Sequence, residues 1–185
     1  MVASHHNLTG GTVTTEVDHL FDHHLSDHDA IRQVAARYSR GVDRLDGDLM
    51  KSAYWPEATD NHGVFIGSGW DLCDQVVRTH TRFTSTMHCV MNHAIEVDAA
   101  AGTGSGEVYN VTYLFRTEND DDIVETWWGR YLDQYERRNG EWRILHRICV
   151  HEFTRSDVVT SRMSIDAAKF RQGSADRGNN AQLGR

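Results

Sequence analysis

His88 and Asp43 are the residues of this 185-residue chain whose types best suit proton transfer. His88 lies in residues 85–97, Ser-Thr-Met-His-Cys-Val-Met-Asn-His-Ala-Ile-Glu-Val, a stretch patterned like a half-buried strand but carrying polar groups where apolar ones belong. Side chains alternate along a strand, so His88 and Asn92 should share a face with Val90 and Ala94. A histidine among small apolar neighbours at the mouth of a hydrophobic pocket titrates near neutrality and suits a general base. It needs a carboxylate to fix its tautomer, and the candidate is Asp43, at the end of the helical segment Gly41-Val42-Asp43. Further along, Leu145, Arg147, Cys149 and His151 should share one strand face. An arginine placed between a leucine and a cysteine must find a carboxylate, a subunit contact or a ligand.

The elements that would position these residues can be read in order. Residues 1–25 are polar and without periodicity, an arm that orders only by docking. Ser26, followed by Asp27 and Asp29, reads as a helix start, and Ile31, Val34, Ala35, Tyr38, Val42 and Leu45 form an apolar stripe to about residue 46. Asp43 falls at the edge of that stripe, where the periodicity alone leaves open a cavity rim or water. Gly47 breaks the helix, and Asp48 can cap a short one over 49–54, which Trp55-Pro56 closes. A polar loop over 57–63 then carries Asp60 and His62 to a short strand at 64–66. Ser68 opens a packing helix with Trp70, Cys73, Val76, Val77, His80 and Phe83 at helical spacing. After the 85–97 strand come three β-rich segments, 106–117, 122–137 and 141–155, joined by hairpin loops. Tyr109, Tyr113 and Phe115 share one face there, and Trp127, Tyr131 and Tyr135 another. Helices first and an antiparallel meander last make an α+β fold. Residues 156–185 form a tail, with a possible short helix at 164–170.

The formal charge of -8, with no Lys/Arg cluster beyond Arg137-Arg138, argues against nucleic acid or an anionic membrane as partner. No apolar run approaches the roughly 20 residues that span a bilayer, and the N-terminus has no basic flank leading into an apolar stretch, so a cytoplasmic protein is expected. The three cysteines, Cys73, Cys89 and Cys149, suggest neither a disulfide framework nor a CxxC metal site. His5, His6, His19, His23, His24 and His28 fit no recognised ligand spacing, so no metal is expected. With no phosphate-cradling glycine loop and no G-x-S-x-G, covalent catalysis has no candidate.

Several motifs over residues 26–155 resemble the SnoaL-like branch of the NTF2-like superfamily, which includes scytalone dehydratase and hexachlorocyclohexane dehydrochlorinase. They are Tyr-Ser-Arg-Gly-Val-Asp ending at Asp43, the short helix before Trp55-Pro56, Asp60-Asn61-His62-Gly63, Thr-Met-His at His88, and Gly-Arg-Tyr-Leu-Asp-Gln-Tyr-Glu-Arg-Arg-Asn-Gly-Glu-Trp-Arg-Ile from Gly129. The resemblance implies an NTF2-like cone, a curled antiparallel sheet closed by N-terminal helices, with Asp43 and His88 as a dyad that needs no cofactor. Arg147 stands where the dehydrochlorinase has a cationic residue, five positions after its tryptophan. One departure is Tyr38, where that enzyme has a lysine. A phenol points away from halide loss and suits polarising a hydroxyl or carbonyl.

The expected activity is therefore a cofactor-independent lyase on a small aromatic or polycyclic molecule, losing water or, by retro-aldol cleavage, formaldehyde. His88 is the base, Asp43 orients it, and Tyr38 or Arg147 polarises the oxygen; Tyr54, Trp55, Asp60, His62, Asn92, Tyr113 and Trp128 are expected to bind substrate. The alternatives are a non-catalytic ligand-binding or assembly module, like the small subunits of ring-hydroxylating dioxygenases, and an isomerase or epoxide hydrolase, which would need a second carboxylate deep in the pocket. The aromatic-rich meander face points to a homo-oligomer, and the resemblance to a trimer.

Overall fold

A computed structural model describes the backbone of residues 16–170 and the side chains of 27–170, Ala167 apart. The expectations placed on residues 1–15 and 171–185, His5 and His6 among them, lie outside the described residues, as do the side chains of His19, His23 and His24.

The first helix, α1, spans Glu16–Arg44 and starts ten residues before the expected Ser26. A cap signal is local, and the preceding segment has acids but neither glycine nor proline to stop the helix. Asp27, taken above as a first-turn acid, is an anchor instead: it is buried and accepts from Arg137 at 3.0 Å and from Trp142 Nε1 at 2.8 Å. Ile31, Val34, Ala35, Tyr38 and Val42 form the stripe and are all buried. A short α2, Gly47–Lys51, is capped by Asp46 rather than Asp48, and packs back on α1.

Trp55-Pro56 does not close a helix. It opens a strand, β1 (Tyr54–Asn61), so that Asp60 sits in a sheet and not in a loop. A proline gives no ladder donor, and the pairing of β1 is irregular between Tyr54 and Thr59, where Pro56 lies. The short strand β2 is Ile66–Ser68. Ser68 then caps α3 (Gly69–Thr79), accepting from the amides of Trp70 and Asp71. Four long strands follow: β3 (Ser85–Asp98), β4 (Thr103–Glu118), β5 (Asp121–Arg138) and β6 (Glu141–Val158). The helix expected at 164–170 is one 3₁₀ turn, Ala167–Lys169.

The strands make one sheet in the order β2-β1-β6-β5-β4-β3, antiparallel except for the parallel β1–β6 pair. Its inner face is closed by α1 and α3, giving an α+β cone that does not seal into a barrel. Strands of 14 to 18 residues cannot stay flat, and bulges take up the curl. One bulge lies between Val90 and His93 on β3; two more interrupt the β5–β6 ladder, at Trp128/Gly129 and at Gln134/Tyr135. The β5–β6 turn is Asn139-Gly140, both at positive φ, as a two-residue hairpin needs.

Candidate active site

Asp43, on the last turn of α1, reaches across the inner face to β3. Its Oδ1 lies 2.7 Å from Nδ1 of His88 and accepts from the Thr86 hydroxyl at 2.9 Å, and its Oδ2 accepts from the His88 backbone amide at 2.9 Å. The carboxylate is thus held by three groups of one strand, and both side chains are largely shielded from water. A carboxylate at Nδ1 makes that nitrogen the protonated one and leaves Nε2 bare as a proton acceptor.

A second histidine–carboxylate pair stands on the other side of the interior. His62 Nδ1 lies 2.6 Å from Asp60 Oδ1, and Tyr54 donates to Asp60 Oδ2 at 2.7 Å. Asp60 is 1 % exposed. Burial alone would raise its pKa, but the hydrogen bond and charge of His62, then the charge of Arg147, hold it below the usual carboxylate range. For His62 burial works against the cation; the hydrogen bonds and charges of Asp60 and Cys149 outweigh it and raise the pKa to about 9, so the imidazole is protonated at neutral pH. Asn110 and Tyr131 lie between the two pairs. Thr112 is opposite His88 on β4, Asn110 donates to Thr112 at 3.1 Å and to Tyr131 at 2.9 Å, and the Tyr131 ring lies 5.7 Å from that of His62. Asn110 Oδ1 is buried without a hydrogen-bond partner.

Arg147 has found its carboxylate. Its Nε and one terminal nitrogen each donate to Asp133 at 2.7 Å, and the other donates to Tyr54 at 3.3 Å. The guanidinium lies over Tyr131 at 4.0 Å and over Tyr38 at 4.4 Å. At 0 % exposure it cannot touch a leaving oxygen, which corrects the expected direct role: it is a positioning residue beneath the tyrosines. Tyr38 is buried among Arg147, Tyr54 and Tyr131, and burial raises its pKa, so the phenol stays a donor.

Four expected substrate residues face elsewhere. Asn92 is exposed in the β3 bulge, which shifts the alternation and turns His93 inward in its place, its Nε2 3.3 Å from the Tyr135 hydroxyl. Tyr113 alternates with buried Thr112 onto the outer face. Trp128 packs outward on Phe153, and Trp127 is the inner tryptophan, stacked 6.5 Å from Tyr131. Gly129 makes this fold-over possible, since a Cβ there would meet Trp127 at 1.9 Å and the Val150 carbonyl at 2.2 Å. Trp55 is held between Arg138 and Arg143 and donates to the Glu136 carbonyl at 3.0 Å.

Residues 23–148 match the model of the SnoaL-like domain. The chain belongs to the SnoaL-like family. No curated protein matches it by sequence. A type 2 hexachlorocyclohexane dehydrochlorinase (LinA) superposes with a TM-score of 0.65 at 18% identity, over 77% of this chain and 96% of its own. A scytalone dehydratase candidate from Novosphingobium aromaticivorans gives 0.63 at 18%, over 73% and 90%. A protein of unknown function from Mycobacterium tuberculosis gives 0.60 at 19%, over 76% and 78%. At these identities the likeness is one of fold.

In this SnoaL-like chain Thr86, His93, Asn110 and Asp133 join the inner wall without having been expected there, and Trp127, on the expected face with Tyr131, takes the place expected of Trp128. Asp133 had a signal, an acid on the aromatic face of β5 beside an arginine that required one. In-phase pairing from the Asn139-Gly140 turn sets Asp133 opposite His146, and the bulge at Leu145 moves Arg147 there. Among the described residues no group of three or more His, Cys, Asp or Glu could hold a metal ion, and no helix is long and apolar enough to cross a membrane.

Proposed function

We propose that this SnoaL-like protein is a cofactor-independent lyase that removes water, or formaldehyde by retro-aldol cleavage, from a small aromatic or polycyclic hydroxy-carbonyl compound. The observation that carries the reading is the 2.7 Å contact from Asp43 to His88 Nδ1, which leaves Nε2 as the base. Nε2 takes the proton from carbon or hydroxyl, and Asp43 stabilises the imidazolium that forms. The oxygen that leaves or gathers charge receives a hydrogen bond from Tyr38 and is stabilised by the positive charge of the protonated His62, while Asn110 Oδ1 accepts from a substrate hydroxyl. Trp127 and Tyr131 supply the apolar wall for an aromatic ring. No residue here is required to hold a metal or an organic cofactor.

The binding-module alternative has no need for a carboxylate fixed by three hydrogen bonds, one of them to an imidazole. The hydrolase alternative needs a carboxylate free to activate water. Both Asp133 oxygens are taken by Arg147, with Tyr135 also donating at 2.8 Å, and Asp60 is occupied by Tyr54 and His62. We further propose that the chain acts as a homo-oligomer, a trimer by family resemblance, joined through the outer sheet face. The test of activity is incubation with a panel of aromatic β-hydroxy ketones, following alkene absorbance and released formaldehyde. Water or formaldehyde loss that depends on His88 supports the lyase. Tight binding with no turnover across the panel favours the module.

A further inference from the structure

The Asp60–His62 pair has a third neighbour that the lyase reading does not use. β1 runs parallel to β6, with Asp60 beside Arg147 and Asn61 beside Ile148, which brings His62 alongside Cys149. The register sets the Cys149 side chain on the same side as the His62 ring, whose Nδ1 is 2.6 Å from Asp60. Cys149 is half-buried, is free of any disulfide, and lies opposite Tyr131 in the β5–β6 ladder, on the inner face with Arg147. A thiol, an imidazole and a carboxylate in this order are the parts of a nucleophile, its acid–base partner and the group that orients the partner.

We infer that Cys149, His62 and Asp60 form a thiol-activating triad that takes a soft carbon electrophile, an alkene conjugated to a carbonyl. The Sγ proton rests on the imidazole, and the sulfur attacks as the thiolate. A bond forms between Sγ and the β-carbon, the alkene π pair moves into the carbonyl as an enolate, and the imidazolium returns its proton to the α-carbon. The adduct holds every atom of thiol and alkene, with no oxidant or further reactant consumed. Trp127 and Tyr131 wall this part of the interior and suit a flat conjugated molecule. Such an alkene is also what loss of water from a β-hydroxy carbonyl leaves behind. The inference nevertheless stands apart from the reaction at His88, and its test measures no turnover.

The titratable and charged groups around the pair are Asp60 and Tyr54 on β1, Tyr131 on β5, Arg147 on β6, and Tyr38 and Cys73 on the helices packed above them. Apart from Asp60 and His62, the charge among them is on Arg147, which Asp133 offsets.

The probe is N-ethylmaleimide, an activated alkene, applied to the whole protein, with adducts at each cysteine quantified by peptide mass spectrometry. Cys89 is the internal reference, half-buried on β3; Cys73 is buried, and burial pushes its thiol up to about 12. At pH 6.5 Cys149 should react about tenfold or more faster than Cys89, and its rate should stay nearly flat from pH 8 to 6 while that of Cys89 falls about tenfold per unit. His62→Gln should slow Cys149 about tenfold or more and leave Cys89 unchanged. The triad is overturned if Cys149 reacts no faster than Cys89, or if its rate follows pH like an ordinary thiol. Should His62→Gln fail to fold, the wild-type pH profile alone decides.

Discussion

Single residues carry the sharpest expectations. His88→Gln keeps a hydrogen-bonding side chain but cannot accept the proton, so turnover should fall about 10² to 10⁴-fold, with circular dichroism unchanged. Asp43→Asn preserves shape but loses the charge that stabilises the imidazolium, and kcat should fall by a large part of the same factor with KM little altered. The two other inner histidines pull stability in opposite directions with pH. His62 is raised to about 9, so its contribution is complete below the ordinary histidine pKa of about 6.5 and is lost as pH rises through 9. His93 is lowered to about 4, first by burial, so its contribution is complete above about 6.5 and is lost as pH falls toward 4. Urea midpoints measured from pH 4 to 9.5 should show both limbs. His62→Gln should flatten the alkaline limb, and His93→Gln the acid one. At this scale His88 could be picked out because polar groups break an apolar strand pattern. Asp43, at the edge of a helical stripe, and Asp60 and His62, in a stretch that reads as a polar loop, stood out through the family resemblance. Asn110 could not, because what marks it is a partner on another strand.

At the scale of elements the sequence was clearest where one period ran long. The stripe of α1, the Ser68 cap of α3 and the three hairpin-linked strands of the meander all follow from local pattern and turn chemistry. What was missed follows from long-range pairing. Tyr54–Asn61 is a strand because β6 offers it a parallel edge, and no local signal announces that partner. The bulge in β3 exchanged Asn92 for His93, and the one near Leu145 set Arg147 against Asp133; one inserted residue reverses the faces of everything after it. Gly129 marks where curvature and site meet. Gly129→Ala should displace Trp127 from the wall and destabilise the fold by about 1–3 kcal/mol, visible in chemical denaturation together with altered tryptophan fluorescence.

The whole molecule presents two faces of one sheet, and they have different tasks. The inner face is closed by helices around the histidines and tyrosines. The outer face exposes Met87, Met91, Tyr109, Leu132, Ile148 and Phe153, and beside them Ala94, Glu96, Glu107 and His146 help line a groove of about 470 Å³. Several large apolar side chains exposed on one sheet face are a surface that association between copies would bury. Sedimentation at micromolar concentration should give a trimer, and Leu132→Glu with Ile148→Glu should dissociate it without unfolding; a wild-type monomer would contradict this. The most direct test of the central claim is a comparison of wild type with His88→Gln on aromatic β-hydroxy ketones, following conjugated alkene and formaldehyde. The wild type should form one of these products, and the variant should lose about 10²-fold or more of that rate. Equal rates for the two proteins would contradict a His88 base.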